Sequence, residues 1–458
     1  MEASSDQSDL ISCLSDSILI HILSFLPSNL SGQTCILSRR WRYLWEYVPE
    51  LIFEDCTDEQ LLPFLTHRKS SILRKFHLSS KFKDVVLDNY TIDQALCFCA
   101  TQGVEELHLL FDTIHHVSQQ FSSYYLRAKS LSCWEASLRV LNLRGCLVSC
   151  PGRINLPKVE ELRLFCVSTE SDAFEHIITG CPSIESLEIQ QNCHRTLKFH
   201  HPNLKRLVLD WCNWEHIDIS VPKLKFFKYD GSVDSLKTFL MRVENLKEAE
   251  IDLYQDWDCN QNEGYVWGHR RLFQAVGQAE HLKVHCGNWD KPALYNNMNL
   301  TFKNVKCLAL ERAELVFLLV VPAIIRLFPC LENFDISLRT CLPYSPEMHS
   351  DYYLMSERPD EEKEFCMQLK NNRESIDCLR YSLRRIDVRD FEARDTQIEL
   401  LKLLVQNAIL LEVICFRDSY GGIARLLKSR EILTSCAANK NIKFLAQKIS
   451  NRHSNVSW

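Results

Sequence analysis

Four segments in the middle of the chain repeat one pattern of leucines: SLRVLNLRGC (residues 137–146), KVEELRLFCV (158–167), SIESLEIQQN (183–192) and NLKRLVLDWC (203–212). They line up on the template L-x-x-L-x-L-x-x-N/C, whose last position is filled in three of the four by Cys146, Asn192 and Cys212. Their anchors, spaced about 20 to 25 residues apart, are Leu141, Leu162, Leu187 and Leu207. Weaker copies precede and follow them: ILRKFHLSS (72–80), GVEELHLLF (103–111), KLKFFKYDGS (223–232), NLKEAEIDLY (245–254), NVKCLALERA (304–313) and CLENFDISLR (330–339). Self-similarity at a fixed period indicates an array of stacked structural units.

A period of this length predicts the architecture. Each repeat contributes one short strand whose leucines point inward, and one return segment that covers the opposite side. Because no repeat can bury its own apolar face, neighbours must stack to form a continuous core. The period lies in the range of leucine-rich repeats. We therefore predict an α/β fold in which residues 70–340 form a curved leucine-rich-repeat solenoid, with a parallel β-sheet and helices or irregular segments behind it. A set of unrelated amphipathic strands is the alternative.

The beginning of the chain carries a different pattern. LSDSILIHILSFLP (residues 14–27) predicts an amphipathic helix that Pro27 stops, and SNLSGQ (28–33) predicts a polar turn. Two further short helices are expected to carry the apolar residues Ile36, Leu37, Trp41, Leu44 and Trp45. Helices this short bury little surface among themselves, so part of their apolar surface must be covered either by the rest of the chain or by another protein. The spacing leaves both alternatives open.

This N-terminal pattern, continued by LSRRWRYLW (37–45) and VPELIF (48–53), resembles a plant-type F-box, which we assign to residues 10–56. The resemblance implies a helical motif that docks on the Skp-family adaptor of an SCF ubiquitin ligase, and through it on a cullin and a RING subunit. Carried over by position, the adaptor-facing residues are Leu14, Ile18, Leu19, Ile22, Leu23, Leu26, Pro27, Leu37, Trp41, Leu44 and Trp45.

The chain departs from the family's pattern at Ser15, Leu30, Gly32 and Gln33. Glycine inside a short helix destabilises it by roughly 1 kcal/mol relative to alanine and removes a packing side chain. If these departures weaken the adaptor contact, Ser15→Pro and Gly32→Val should tighten it.

The C-terminal segment CLRYSLRRIDVRDFEARDTQIELLKLLVQNAILLEVICF (378–416) predicts a strand, a turn, an amphipathic helix and a second strand. The apolar side of the helix is Leu400, Leu401, Leu403, Leu404 and Val405. The layout resembles the FBD domain of many plant F-box proteins with leucine-rich repeats, and we assign residues 373–445 to an FBD-like end cap. The family's glycine after the first strand is absent, with Ala393 nearby, so the turn is expected to differ. Residues 343–372 are predicted as a polar insert or linker, 446–458 as a loose tail and 1–9 as disordered.

Composition favours a folded protein without nucleic-acid or membrane partners. The formal net charge of -6 gives no basic field for nucleic acid. The longest apolar run, LVFLLVVPAIIRLF (315–328), is too short to span a bilayer and is predicted to be a buried helix. The opening MEASSDQSD lacks the apolar core of a signal peptide, and the 21 cysteines show no CxxC spacing, which predicts reduced, mostly buried thiols. We expect a location in the nucleus, the cytoplasm or both.

No recognised catalytic or phosphate-binding motif occurs in the sequence. The His115/His116 and His200/His201 pairs and the group His281, His285 and Cys286 lack a second ligand pair at zinc spacing, so we expect no metal and no cofactor. The function indicated is a non-catalytic receptor that brings a target protein to a ubiquitin ligase. An interaction scaffold whose F-box no longer binds the adaptor is the alternative, and an enzyme has no motif in its support.

The polar residues of the repeat strands predict where a target would bind. Residues that flank the inward leucines alternate to the exposed side of each strand. The resulting stripe becomes more acidic along the array and consists of Asn142, Arg144, Arg163, Glu188, Gln190, Arg206, Asp210, Lys228, Asp230, Glu248, Glu250 and Asp252. Its acidic end, Glu248, Glu250 and Asp252, is predicted to dock a basic segment of the target. An ordinary solvated face is the open alternative.

Overall fold

The structure is a computed structural model. It describes residues 10–447 except for 12, 69–71, 81–86, 112–123, 128–130, 132, 150–153, 170–172, 192–194, 233–234, 255–265, 286–299, 312, 314–315, 339–358, 372–374 and 418–422. The chain divides into two compact units, Met1–Val208 and Leu209–Trp458, which we call unit 1 and unit 2.

Unit 1 is built from short helices and strands. Its helices are α1 (Asp16–Leu23), α2 (Ser28–Gln33), α3 (Asp58–His67), α4 (Asn89–Thr101) and α5 (Ala173–Thr179), with 3-10 helices at Thr34–Ile36 and Trp41–Tyr47. Its strands are β1 (Glu50–Glu54), β2 (Lys75–Ser80), β3 (Glu106–Phe111), β4 (Tyr124–Arg127), β5 (Val140–Arg144), β6 (Cys146–Ser149), β7 (Glu161–Phe165), β8 (Ser168–Thr169), β9 (Ser186–Gln190) and β10 (Thr196–His200). β11 (Arg206–Asp210) spans the boundary between the units.

The main sheet of unit 1 aligns the predicted anchor residues. β1, β2, β3, β5, β7 and β9 pair in that order, all in parallel. The register places one buried apolar side chain beside the next on successive strands: Leu51, Phe76, Leu107, Leu141, Leu162 and Leu187. Full burial of such a side chain stabilises the fold by about 1.5–3 kcal/mol. The predicted α/β fold, with a parallel sheet built from leucine-rich repeats, is confirmed.

A left-handed residue directly after the strand is a recurring feature of the repeats. This conformation, with φ between 47° and 63°, occurs in unit 1 at Asp55, Gly145, Cys166 and Gln191, and in unit 2 at Trp211 and Asp390. It turns the chain out of the strand while the backbone still bonds to the neighbouring strand: the N–H of Asp55 donates to the carbonyl oxygen of Ser79 at 2.8 Å. The ladder therefore runs one residue past the strand at Asp55, and it does so likewise at Gly145, Cys166 and Asp390.

This turn explains the Asn or Cys that closes the sequence template. Cys146 and Cys212 come directly after left-handed residues and are buried. The thiol of Cys146 donates to the carbonyl oxygen of Arg144 (3.5 Å), and that of Cys212 to the carbonyl oxygen of Asp210 (3.2 Å). A small donor at this position thus satisfies a carbonyl at the end of its own strand. Asn192, the third residue of this kind, lies outside the described residues.

Unit 2 continues the same organisation. Its helices are α6 (Val266–Val276), α7 (Val321–Ile325), α8 (Pro359–Asn371), α9 (Asp377–Tyr381), α10 (Asp395–Asn407) and α11 (Ile423–Cys436), with a 3-10 helix at Val316–Leu319. Its strands are β12 (His216–Ser220), β13 (Phe226–Ser232), β14 (Thr238–Arg242), β15 (Glu248–Tyr254), β16 (His281–His285), β17 (Cys307–Glu311), β18 (Asn333–Ser337), β19 (Arg385–Arg389), β20 (Val413–Arg417) and β21 (Lys443–Gln447). β13 and β15 to β21 pair in that order as a parallel sheet.

The C-terminal segment adds strands to this sheet. β19 pairs with β18 in parallel, so residues on either side of the polar insert share one sheet. The predicted order of strand, helix and strand is present as β19, α10 and β20, and the predicted apolar side of α10 is buried. Where the family's glycine is missing, Asp390 and Ala393 adopt left-handed conformations (φ 55° and 59°). The turn is therefore made without glycine.

Three local predictions were wrong. The segment predicted as a polar turn, 28–33, forms α2, because Ser28 and Ser31 are small enough to be buried on the inner side of a helix. Part of the predicted linker, 343–372, forms α8, which buries Cys366 and Leu369, three residues apart. The apolar run 315–328 buries most of its described side chains, although Arg326 is exposed, and it forms a 3-10 helix followed by the short α7 where one helix was predicted.

The predicted boundaries also need adjustment. The parallel sheet begins at β1, inside the range assigned to the F-box. β21 ends at Gln447, so the first two residues of the predicted tail belong to a strand; residues 1–9 and 448–458 lie outside the described residues. Among the helices that the structure describes, none has the length and apolar character needed to cross a membrane.

Candidate functional site

The N-terminal helical unit, residues 13–49, has a small core of its own. Leu19 and Leu23 of α1 pack with Leu44 and Val48, and all of them are buried. Side chains that pack against this core while remaining partly accessible are Leu14, Ile20, Trp41 and Trp45. Of the residues assigned to the adaptor-facing set, Leu19, Leu23 and Leu44 therefore hold the helices together and are not accessible to a partner.

The other side of the same helices exposes large apolar side chains. Ile18 and Ile22, four residues apart on α1, are exposed, as is Leu26 just beyond the helix, and Leu37 after the first 3-10 helix. Five further residues of the helical unit, outside the adaptor-facing set, share this property: Phe25 (73% exposed), Leu30, Ile36 (84% exposed), Tyr43 and Tyr47. We call Ile18, Ile22, Phe25, Leu26, Leu30, Ile36 and Leu37 the apolar docking surface. Pro27 is half-buried beside it.

Arg40 joins two segments of the helical unit. Its guanidinium donates to the carboxylate of Asp16 at the start of α1 (2.8 Å) and to the carbonyl oxygen of Leu14. The acid in the first turn of α1 also complements the helix dipole. Arg40 thus connects the beginning of α1 to the segment that enters the second 3-10 helix.

The helical unit packs directly on α3, which in turn packs on β1. The ring of Phe64 on α3 lies 4.5 Å from that of Trp45 and 5.3 Å from that of Phe53 on β1, measured between centroids. A Cβ atom on Gly32 would lie 2.9 Å from Cε2 of Phe64, so the glycine permits this close approach. Gly32 therefore serves the junction between α2 and α3, and a larger side chain there would disturb it.

A buried arginine directly after α3 makes a second connection between the helical unit and the segment that follows it. Arg68 donates through Nη2 to the carbonyl oxygens of Val48 and Ile72, each at 2.7 Å. Burial lowers the pKa of Arg68 to about 10, so the guanidinium stays charged at neutral pH. It joins the end of the helical unit to the segment leading into β2.

In unit 1, the polar residues of the strand face form a row across the sheet. The register aligns His77, His108, Asn142, Arg163 and Glu188 on β2, β3, β5, β7 and β9. Burial, with the nearby positive charge of Lys75, lowers the pKa of His108 to about 4, so its ring is neutral at neutral pH. The guanidinium of Arg144 stacks on the ring of Phe165 (4.4 Å to the centroid). Charges in this row are few and locally balanced.

In unit 2, ion pairs cross-link much of the strand face. Arg389 pairs with Glu311 and Asp335, at 2.8 Å in each case, and Arg417 pairs with Asp387 (2.9 Å). Such cross-strand pairs stabilise neighbouring strands and leave little net charge for a partner. The carboxylates on the strand face from β17 to β20 are therefore neutralised by arginines of the same sheet.

The acidic residues predicted to dock a basic segment differ in their surroundings. Glu250 accepts a hydrogen bond from Nε2 of His285 (3.1 Å) and pairs with Lys283 (3.3 Å). Burial opposes its ionisation, but the bond from His285 and the charge of Lys283 outweigh burial and lower its pKa to about 2. All three carboxylates are half-buried; Glu250 is paired within the protein, and Asp252 lies 3.5 Å from Nδ1 of His285.

The remaining residues of the predicted target stripe have varied exposure. Arg163 and Arg206 are exposed, and Asp230 is buried. The half-buried ones are Asn142, Arg144, Glu188, Gln190, Asp210 and Lys228. The alternation of inward leucines and outward polar residues on β5, β7 and β9 follows the prediction.

The histidines weighed as metal ligands are dispersed. His201 is buried with Nε2 3.1 Å from the carbonyl oxygen of Cys181, and His281 is exposed. His115, His116 and Cys286 lie outside the described residues. Within the part of the chain that the structure describes, no three His, Cys, Asp or Glu side chains are grouped to hold a metal ion.

Comparison with known proteins places these features in a family context. Residues 92–237 match the model described as FBD-associated F-box protein At5g56370, LRR repeats. The FBD-associated F-box protein At5g60610 of Arabidopsis thaliana is 27% identical over 427 residues, covering 88% of this chain and 98% of that protein. Two other Arabidopsis thaliana proteins are similar: the putative F-box/LRR-repeat protein At5g02930 (24% identical; 74% of each chain) and F-box protein At3g59000 (27% identical; 71% of this chain and 72% of that one).

The parallel sheet of repeated strands and these matches show that the chain is similar to leucine-rich-repeat proteins of the F-box type. More particularly, its homologues over most of its length are Arabidopsis F-box/FBD/LRR-repeat proteins. The resemblance predicted from the N-terminal and C-terminal motifs is confirmed.

Proposed function

We propose that this protein is the substrate-recognition subunit of an SCF-type ubiquitin ligase. Its apolar docking surface binds a Skp-family adaptor, and through that adaptor a cullin and a RING subunit. Its repeats bind the target protein. The chain itself supplies no catalytic step, in keeping with the F-box names of its relatives, and it works in the nucleus, the cytoplasm or both.

The observation that carries this proposal is that some apolar side chains of the helical unit form its core while others are exposed. Leu19, Leu23 and Leu44 fill its core, while Ile18 and Ile22 of the same helix stay exposed. Exposed apolar side chains grouped on one element favour a protein partner, because each one left in water forgoes the free energy of burial. The contacts of Phe64 with Trp45 and Phe53 hold the helical unit that carries this surface against α3 and β1.

The proposal is tested with the purified full chain and immobilised Skp-family adaptor. Ile22→Asp places a charge on the docking surface without touching the core, and it should abolish retention by the adaptor, because an unpaired carboxylate in an apolar contact costs several kcal/mol, on the order of 2–4. Ile409→Asp is the matched control, since Ile409 is 55% exposed in unit 2 and outside the helical unit. Leu23→Asp is unsuitable, because it would unfold the unit.

Two results would count against the proposal. Equal retention of Ile22→Asp and the wild-type chain would exclude the docking surface as the contact. Failure of the wild-type chain to bind any Skp-family adaptor offered would favour the alternative function, a repeat scaffold whose F-box does not engage the adaptor.

A further inference from the structure

Three aspartates lie side by side on the strand face of unit 2. Asp230 of β13 is directly opposite Asp252 of β15 in the parallel register. Asp210, at the end of β11, belongs to the same cluster, because its charge and its hydrogen bond both act on Asp230. We call Asp210, Asp230 and Asp252 the acidic row.

Among the described residues, one lysine and one histidine lie beside the three carboxylates of the acidic row. Lys228 bonds to Asp210 at 2.8 Å, and Nδ1 of His285 lies 3.5 Å from Asp252. This contrasts with the arginine pairs that neutralise Glu311, Asp335 and Asp387 further along the sheet. Burial, together with the charges of Asp252 and Asp210, raises the pKa of Asp230 to about 7. Crowded negative charge of this kind would be relieved by an added cation.

An exposed tryptophan stands at the end of this row. Trp211 follows β11 directly and is 62% exposed. The next backbone N–H, that of Cys212, donates to the carbonyl oxygen of Asp230 at 3.2 Å, which fixes the backbone beside Trp211 against the strand that carries Asp230. Indole is the best of the aromatic side chains for contact with a cation, and tryptophan is enriched among the residues that dominate protein–protein binding.

We propose that Trp211 and the acidic row form the target-binding surface of unit 2, and that the segment bound there is an extended stretch of the target carrying lysine or arginine. One cationic side chain packs on Trp211, and another lies against the half-buried carboxylates of Asp210 and Asp252, which flank the buried Asp230. Neighbouring strands are about 4.8 Å apart, so Asp210 and Asp252, two strands apart, are separated by roughly 10 Å, about three residues of an extended peptide. Basic residues three apart in the target therefore match the row.

This inference rests on the proposed receptor function, but it is tested without the adaptor. The probe is a fluorescein-labelled peptide with arginines three residues apart in a glycine–serine background, and its acidic counterpart has glutamate in their place. Fluorescence anisotropy at pH 8 should show that the full chain binds the basic peptide and not the acidic one. Trp211→Ala and Asp252→Asn should each weaken binding at least about fivefold.

Matched control variants separate this surface from general charge or hydrophobicity. Tyr381→Ala removes another exposed aromatic side chain of unit 2, and Asp218→Asn removes a carboxylate on β12, which is not part of the main sheet. Both should bind the basic peptide as the wild-type chain does. Circular dichroism of every variant establishes that it is folded.

The pH dependence supplies a second readout. The charged groups that act on Asp230 are Asp252, Asp210 and Lys228, and His285 in turn contacts Asp252 and Glu250. As the pH falls through about 7, Asp230 takes up a proton, and the row loses negative charge, so the basic peptide should bind more weakly at pH 6 than at pH 8. No preference for the basic peptide, or equal affinity of Trp211→Ala and the wild-type chain, would overturn the inference. Either result would leave the adaptor experiment unaffected.

Discussion

The hydroxyl oxygen of Ser28 accepts a hydrogen bond from the backbone N–H of Ile52 at 2.8 Å. Ser28 is the first residue of α2, and Ile52 is the middle residue of β1, the first strand of the sheet. An edge strand presents backbone donors and acceptors that would otherwise be open to pairing with another chain. The helical unit thus covers the first edge of the repeat sheet while it presents its apolar docking surface.

Removing the Ser28 hydroxyl should destabilise unit 1. Ser28 is buried, so Ser28→Ala leaves the N–H of Ile52 without its acceptor, at a cost of about 1–3 kcal/mol. Urea unfolding followed by circular dichroism measures this loss. Ser38→Ala, at an exposed serine of the same helical unit, is the control and should change stability little. Equal stability of both variants would show that the bond contributes nothing.

Gly32→Val should destabilise the junction between α2 and α3. The added Cβ would approach Cε2 of Phe64 to 2.9 Å, and Phe64 is held between Trp45 and Phe53, so overpacking of about 1–3 kcal/mol is expected. Thermal unfolding of Gly32→Val and of the wild-type chain shows whether the variant unfolds at the lower temperature, as expected. The expectation from sequence, that a larger residue at Gly32 tightens adaptor binding, considered the missing side chain but not the ring that occupies its place.

A smaller, non-aromatic side chain at position 64 tests whether the ring of Phe64 is the cause. In the background of Phe64→Leu the clash is reduced, so Gly32→Val should cost less than it does in the wild-type chain. Equal costs in both backgrounds would mean that Phe64 is not what restricts residue 32.

Asp230→Asn should stabilise the protein at high pH. The pKa of Asp230 in the folded state, about 7, is above the ordinary value of 3.8, so the folded state holds this proton more tightly than the unfolded state. The associated stability is complete below about pH 4 and is lost as the pH rises through about 7. The variant should therefore exceed the wild-type chain at pH 8 by at least about 1 kcal/mol, since one pKa unit corresponds to about 1.4 kcal/mol.

Unfolding midpoints at pH 5 and pH 8 measure this effect. The advantage of Asp230→Asn should be largest at pH 8 and should shrink towards pH 5, whereas Asp218→Asn should show no such trend. A constant difference between Asp230→Asn and the wild-type chain at both pH values would contradict the assigned proton affinity.

The repeats could be predicted from sequence because their cause is local and repeated. Every strand must bury the same positions, so Leu141, Leu162 and Leu187 recur at one place in the template and align in the register. The strand, helix and strand around α10 were predictable for the same reason, since five neighbouring apolar residues are all buried.

The docking surface was harder to predict because hydrophobic periodicity does not distinguish a core from a binding face. α1 is apolar on more than one side, and the pattern cannot tell that Leu19 and Leu23 face Leu44 while Ile18 and Ile22 face outward. Phe25 lies inside the segment 14–27 and Ile36 directly before the segment 37–45, but neither is among the adaptor-facing residues that the resemblance implies. Trp211 was missed because its significance depends on neighbours that are distant in sequence, such as Asp230 and Asp252.

Isothermal titration calorimetry of the full chain with a purified Skp-family adaptor tests the central claim most directly. The wild-type chain should bind one adaptor with a negative heat-capacity change, the mark of apolar burial. Ile22→Asp should weaken the Kd at least about tenfold, since a loss of 1.4 kcal/mol already has that effect, while Ile409→Asp should match the wild-type chain. Binding with the same Kd and heat-capacity change in Ile22→Asp would contradict the assignment of the apolar docking surface.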